Sequence, residues 1–166
     1  MKTIRNKLFE TNSSSVHTLA ISKDNSKVNI RPLESHCNGD YGGDTEYYHD
    51  PNDKFDYLIV ALRIYKNYEN EEDYNKLLDI LYDYHVPFKI IYDDTGSIDQ
   101  PCELTEDIIP NLLSDPDKLI RFLFNDDSYL RTGCDDNCYI DDLNFGVDDP
   151  RHIINGEKFD YYQKGN

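Results

Sequence analysis

The sequence predicts an α+β fold in a single domain, with a mixed or antiparallel sheet packed against three to four helices. Short β-rich runs occur in both halves of the chain, long stretches of helical periodicity lie between them, and no βαβ repeat connects the two. The chain has 166 residues, 38% of them hydrophobic, which is enough for one core. We therefore expect one domain over residues 1–166, with a tail that frays over 160–166.

The first predicted elements are two strands joined by a turn. Residues 16–22 and 27–31 are β-rich, and the Asp and Asn in Lys23–Ser26 favour a turn, so the pattern predicts a hairpin. Over residues 36–53, glycines cluster in Gly39–Gly43, which indicates a loop that approaches another part of the molecule closely.

Two helices are predicted next. The first has Asp53 as its N-cap, and apolar residues recur at helical spacing at Phe55, Leu58, Ile59, Leu62 and Tyr65. The second starts near Glu71, is stopped by Pro87, and has an apolar stripe of Tyr74, Leu77, Leu78, Leu81 and Tyr82.

The second half alternates strands and helices. Residues 88–92 are predicted as a strand, and a helical pattern from Thr105 is interrupted by Pro110. A further helix is capped by Ser114 or Asp115, and its apolar face is Leu119, Ile120, Leu123 and Phe124. Further strands are predicted over residues 128–132, 138–143 and 158–163.

The charge is large, negative and unevenly placed. The formal net charge is -16, yet residues 1–31 carry six Lys or Arg against two acids, whereas residues 93–149 carry sixteen acids against three bases. Such a field disfavours direct nucleic acid binding and favours a basic partner or a cation, although it is also typical of a solvated surface. No apolar run reaches the roughly 20 residues of a membrane span, so we expect a cytoplasmic protein with no membrane contact.

A polar run before the first strand is the strongest candidate site. It consists of Asn12, Ser13, Ser14, Ser15 and His17. On a strand, Ser15 and His17 would share one face, so a hydroxyl and an imidazole could contact one ligand. The alternative is that these side chains satisfy backbone groups in a tight turn.

Two later segments are weaker candidates. Ser97–Gln100 contains Asp99 after a predicted strand, where it could be an active-site acid or part of a turn. Thr132–Asn137, with Asp136 and Asn137, could hold a metal ion or a ribose hydroxyl, or could be an exposed acidic turn.

The four cysteines give weak support for zinc. A site with three sulfurs and one nitrogen is conceivable if four residues meet, namely His36, Cys37, Cys134 and Cys138. The single C-x3-C pair is looser than the usual zinc spacing, and reduced thiols are the expected state in a cytosolic chain. We therefore predict no cofactor.

Several motifs together resemble a family of uncharacterised proteins of bacteriophages and mobile elements of low-GC Gram-positive bacteria. The resemblance covers most of residues 1–140 and its most specific motif is Phe9–Leu19, with FETNSSSVHTL. The other motifs are Lys2–Arg5, Gly39–Gly42, Ser97–Gln100, Phe122–Asn125, Ser128–Gly133 and Asp136–Asn137. The chain departs from the family pattern at Gly43, Gln100 and Cys134.

The resemblance implies a phage or mobile-element setting in a bacterial host cell. With the acidity, it leads to the hypothesis of an anti-CRISPR-like inhibitor that mimics nucleic acid and occupies the basic groove of a host defence nuclease. The partner-binding acids would be Asp126, Asp127, Asp135, Asp136, Asp141, Asp142, Asp148 and Asp149. The alternative is a small enzyme or nucleotide-binding protein whose pocket combines the Asn12–His17 run with Asp99, Asn125, Asp136 and Asn137. The sequence leaves open whether the protein is an enzyme.

Overall fold

The predicted α+β class is confirmed by a computed structural model, which describes residues 15–42, 46–64, 71–93, 95–98, 108–134 and 158–164. The strands in these ranges are β1 (Ser15–Ser22), β2 (Leu33–Ser35), β3 (Asp40–Tyr41), β4 (Glu46–Tyr48), β5 (Phe88–Ile90), β6 (Ser97–Ile98), β7 (Tyr129–Cys134) and β8 (Phe159–Lys164). The helices are α1 (Pro51–Ile64), α2 (Glu71–Asp83), α3 (Ile109–Leu113) and α4 (Pro116–Phe124).

The main sheet is antiparallel and has the order β4-β7-β1-β8. β1 lies between β7 and β8, with Leu19 opposite both Leu130 and Tyr162. The predicted hairpin between residues 16–22 and 27–31 is therefore wrong. After β1, a 3-10 turn at Asn25–Lys27, capped by the Asp24 carboxylate, takes the chain out of the sheet, so the partners of β1 come from distant sequence.

Two short parallel pairs join residues 33–41 to residues 88–98. β2 pairs with β5, and β3 pairs with β6. The prediction of a loop over residues 36–53 is wrong in part, because this segment contains β3, β4 and the start of α1. A close approach is seen at Gly39, where a Cβ would lie 2.4 Å from the Tyr41 ring. A Cβ on Gly96 would lie 2.7 Å from the carbonyl oxygen of Cys37, so side chains are excluded on both sides of this contact.

α1 is the central helix. It begins at Pro51, earlier than predicted, because the Asp50 carboxylate, not that of Asp53, accepts a hydrogen bond from the Asn52 amide. The predicted apolar positions Phe55, Leu58, Ile59 and Leu62 are buried. The polar residues between them are buried too, because α1 contacts β2, α2 and α4 on different sides.

The other helices cover the core around α1. In α2, Leu77 and Leu81 are buried as predicted, but Tyr82 is 77% exposed and Ile80 takes its place in the core. Pro110 lies in the first turn of α3, where a proline removes no intrahelical hydrogen bond. The start of the predicted helical pattern, at residues 105–107, lies outside the described residues.

The C-terminal elements of the described chain are the helix α4 and the strands β7 and β8. Asp115 caps α4 through the Lys118 amide, and β7 follows as predicted. The strand predicted over residues 158–163 is confirmed by β8, which pairs with the free edge of β1. The predicted strand over residues 138–143 lies outside the described residues. No described helix has the length and apolar character needed to cross a membrane.

Candidate functional site

A buried carboxylate on α1, that of Asp56, organises the loop after β2. It accepts five hydrogen bonds, from the hydroxyls of Ser35 and Tyr41 and the amides of His36, Cys37 and Gly39, at 2.6–3.0 Å. A buried carboxylate needs such compensation for its lost hydration. The five donors hold the loop in place, and Cys37 adopts a left-handed backbone with φ of 54°.

Beside Asp56 lies a pocket of about 330 Å³, which we call the carboxylate pocket. Its described lining contains no lysine or arginine and five acidic residues, which are Glu34, Asp40, Glu46, Asp53 and Asp56. The other lining residues are His36, Asn38, Gly39, Tyr41, Tyr48 and Asn52. The pocket therefore concentrates negative charge in a concave, partly desolvated space.

Crowding of carboxylates is evident at the start of α1. Asp50, Asp53 and Asp56 lie at three-residue spacing. Partial burial raises the pKa of Asp53, and the negative charges of Asp50 and Asp56 raise it further. Of these three aspartates, Arg31 contacts only Asp50, with 3.5 Å between Arg31 Nη2 and Asp50 Oδ2. The other two share no arginine or lysine partner within 4 Å in the described part of the chain.

Two tyrosines form the aromatic part of the wall. The rings of Tyr41 and Tyr48 meet edge to face, with 5.3 Å between their centroids. The hydroxyl of Tyr41 donates to Asp56 and that of Tyr48 donates to Glu46. Burial raises the pKa of both hydroxyls, and the neighbouring carboxylates raise it further, so both tyrosines are neutral hydrogen-bond donors.

Carboxylates and aromatic rings in one pocket suit an organic cation. Ammonium and guanidinium groups hydrogen-bond to carboxylates and are attracted to ring faces. Within the described ranges, no group of three or more His, Cys, Asp or Glu has the arrangement of a metal site. In a protein partner, ammonium and guanidinium groups are carried by lysine and arginine side chains.

His17, the last residue of the predicted polar run, is fully buried on β1. Its Nδ1 lies 3.1 Å from the hydroxyl of Tyr57 on α1, which is also fully buried. Ser15 belongs to the same strand. The imidazole therefore helps to attach the sheet to α1.

Asn125 is also used within the fold. Its amide nitrogen donates to the carbonyl oxygen of Asp24, and its side-chain oxygen accepts from the amide of Asp127 at 2.9 Å. These contacts lie beyond the Ser22 end of β1. His17 precedes Ser22 by five residues on this strand, so roughly 17 Å separates these two residues, at about 3.3–3.4 Å per residue.

The predicted partner-binding acids are described only in part. Asp126 is exposed, whereas the carboxylate of Asp127 lies 2.7 Å from the ammonium of Lys27. The predicted site residues outside the described ranges are Asn12, Ser13, Ser14, Asp99, Asp135, Asp136, Asn137, Asp141, Asp142, Asp148 and Asp149.

Of the four residues in the zinc hypothesis, the structure describes the side chains of His36 and Cys37. His36 is exposed, and its Nε2 lies 2.9 Å from a carboxylate oxygen of Glu34. The thiol of Cys37 is buried, and its Sγ lies 3.7 Å from the hydroxyl oxygen of Ser35. Cys134 ends β7, and Cys138 lies outside the described residues, so the four residues stay a hypothesis.

The carboxylate pocket was missed at the level of sequence, although a signal was present. Asp50, Asp53 and Asp56 recur every three residues, which places them close together at one helix end. In the glycine loop, which was predicted to approach another part of the molecule closely, the amide of Gly39 donates a hydrogen bond to the Asp56 carboxylate. The two patterns belong to one site, but only the fold connects them.

Comparisons with protein-family models, with characterised proteins and with solved structures found no match for this chain. The resemblance to phage and mobile-element proteins therefore stays a prediction.

Proposed function

We propose that the protein binds a basic protein surface through the carboxylate pocket, and that its target is a nucleic-acid-handling protein. The observation that carries this proposal is the pocket lining, with five carboxylates and no lysine or arginine among its described residues. A groove that normally holds phosphates displays lysines and arginines, and a cluster of carboxylates is complementary to it.

Asp53 supports a binding role for the pocket. Its raised pKa means that folding makes ionisation of this carboxyl less favourable. A neutral side chain would fit the same place without repulsion from Asp50 and Asp56. Groups held in an unfavourable charge state are typical of functional sites, and a cationic partner would relieve the repulsion.

Recognition would proceed by entry of a lysine or arginine side chain from the target. The cation would be held by the carboxylates of Asp53 and Glu46 and would lie against the Tyr48 ring. Because attraction between charged surfaces is screened by salt, the association should be fast and strongly dependent on ionic strength.

The target class follows from the resemblance to phage and mobile-element proteins. In that setting, an acidic protein that fills a basic groove would act as an anti-CRISPR-like inhibitor of a host defence nuclease. Exposed acids elsewhere, including Asp126, would extend the contact, as a nucleic acid extends along a groove.

The test is a pull-down from a lysate of a low-GC Gram-positive bacterium, at about 50 mM and about 500 mM salt, with mass spectrometry of retained proteins. The pocket variant is D53N/E46Q. The matched control is E71Q/E72Q, which removes two exposed acids from the first turn of α2. Circular dichroism checks that both variants fold.

We expect a basic nucleic-acid-binding protein to be retained at low salt and released at high salt. The pocket variant should bind it about tenfold more weakly, as expected from loss of charge-assisted hydrogen bonds, while the control changes little. Retention of no such protein would overturn the proposal. Equal weakening by both variants would instead show that diffuse charge, and not the pocket, binds the target.

A further inference from the structure

A second pocket, of about 440 Å³, lies where β1 ends and β8 begins. Three lysines line it, in a chain with a net charge of -16: Lys23 and Lys27 follow β1, and Lys158 precedes β8. We call it the lysine pocket, and its described lining is Ser22, Lys23, Asp24, Lys27, Asp127, Lys158 and Phe159.

Backbone pairing holds the two sides of this pocket together. Ser22 is opposite Phe159 in the antiparallel ladder, and the amide of Lys23 donates to the carbonyl oxygen of Lys158 at 2.9 Å. Lys23 and Lys158 therefore lie next to each other, directly beyond the paired ends of β1 and β8. The turn at Asn25–Lys27 brings the third lysine to the same opening.

The three ammonium groups differ in their counter-ions. Lys27 Nζ lies 2.7 Å from a carboxylate oxygen of Asp127, and Lys23 Nζ lies 3.2 Å from one of Asp160. For Lys158, no described carboxylate lies within 4 Å of the ammonium. Lys158 therefore supplies the ammonium that is open to an anion, while the ammonium groups of Lys23 and Lys27 would be shared with their aspartates.

An apolar surface completes the pocket. Phe159 is half-buried and lines the cavity beside the lysines. A volume of about 440 Å³ lies within the range of small-molecule sites. The combination suits a ligand with an anionic group at one end and a ring or apolar group at the other.

We propose that the lysine pocket binds a phosphate monoester of mononucleotide size, with its phosphate on the lysine ammonium groups and its organic part against the Phe159 ring. This proposal shares no residue with the carboxylate pocket and holds or fails independently of it. A phosphate dianion could accept from Lys158 directly and share the ammonium groups of Lys23 and Lys27 with their aspartates.

The test is a titration of the full chain with AMP, GMP, CMP and UMP, followed by ¹⁵N NMR and calorimetry at low salt. Adenosine and inorganic phosphate are titrated separately, to distinguish the contributions of the ring and the anion. The pocket variant is K158E, and the matched control is K76E, which makes the same charge change at an exposed lysine of α2.

We expect shifts at the amides of Lys23, Lys27 and Phe159 with at least one monophosphate, and weaker binding of both adenosine and phosphate. K158E should weaken binding about tenfold or more, while K76E should change it less than about twofold. Three results would overturn the proposal. They are no binding of any monophosphate up to about 10 mM, binding of adenosine equal to that of AMP, or equal loss in K158E and K76E.

Discussion

Lys54 is a charged residue inside the core. Its side chain is fully buried on α1, Nζ donates to the carbonyl oxygen of Ser128 at 3.1 Å, and it lies 5.7 Å from the centroid of the Phe122 ring. No carboxylate in the described ranges lies within 4 Å of it. Burial lowers the pKa of Lys54 to about 8, and the more distant Asp50 and Asp126 offset this only in part.

Lys54 should therefore make stability depend on pH. Because its pKa is lower in the folded protein than the ordinary 10.5, the unfolded chain binds more protons between pH 8 and 10.5, and stability rises with pH through this window. Between pH 7 and 9.5 the gain should be about 2 kcal/mol in free energy of unfolding. Urea unfolding at both pH values measures it.

The variant K54M should abolish this gain, because methionine has similar length and no charge. K76M, at an exposed position on α2, serves as the control and should retain the pH dependence. If K54M and the natural protein show the same difference between pH 7 and 9.5, the ammonium of Lys54 is not the source. Tyrosines with a raised pKa in the fold, such as Tyr41 and Tyr48, oppose the gain as the pH approaches 10. They are present in both proteins, so their effect cancels in the comparison with K54M.

At the scale of elements, α4 shows how a short helix is defined by its ends and its buried face. It has nine residues, Pro116 is in the first turn, and the carboxylate of Asp115 accepts a hydrogen bond from the Lys118 amide at 3.1 Å. Leu119, Phe122 and Leu123 are fully buried. From the sequence, either Ser114 or Asp115 could cap this helix. In the structure the N-cap is Asp115, whose backbone is extended, as is typical of N-cap residues.

Replacement of the cap should destabilise the protein. D115A should lower the free energy of unfolding by about 1 kcal/mol, because the Lys118 amide loses its acceptor at the positive end of the helix dipole. S114A removes only an exposed hydroxyl that donates to the carbonyl oxygen of Asn111, and should cost less than half as much. Equal losses in the two variants, measured by urea unfolding, would contradict the assignment of the cap.

At the scale of the whole molecule, charge is the dominant property. A net charge of -16 produces self-repulsion that opposes the compact state. Most described ion pairs are partly exposed, such as Lys27 with Asp127 and Arg31 with Asp50, and pairs of this kind contribute little to stability. Added salt should therefore screen more repulsion than attraction.

We expect the melting temperature to rise by several degrees from about 10 mM to about 500 mM NaCl, over which the Debye length falls from about 30 Å to a few ångströms. The variant E71K/E72K changes two exposed positions and reduces the net negative charge from -16 to -12. The rise of its melting temperature with salt should therefore be smaller. A fall in melting temperature with salt would show that ion pairs outweigh repulsion in this fold.

The sequence by itself determined the α+β class, the helices α1, α2 and α4, the strands β1, β5, β7 and β8, and the overall charge, because these depend on local periodicity and composition. β1, α2 and α4 could be predicted in this way. Local signals also located the turn after β1, but they could not show which strands pair with it.

Only the tertiary structure decided which residues meet. It placed β7 and β8 on either side of β1, buried His17 against Tyr57, and gathered acids from β2, β3, β4 and α1 around one pocket. The physical reason is that side-chain chemistry at a site depends on long-range neighbours. A carboxylate such as that of Asp56 has the same local sequence whether it is solvated or surrounded by five donors, and only the packing of distant segments decides between the two.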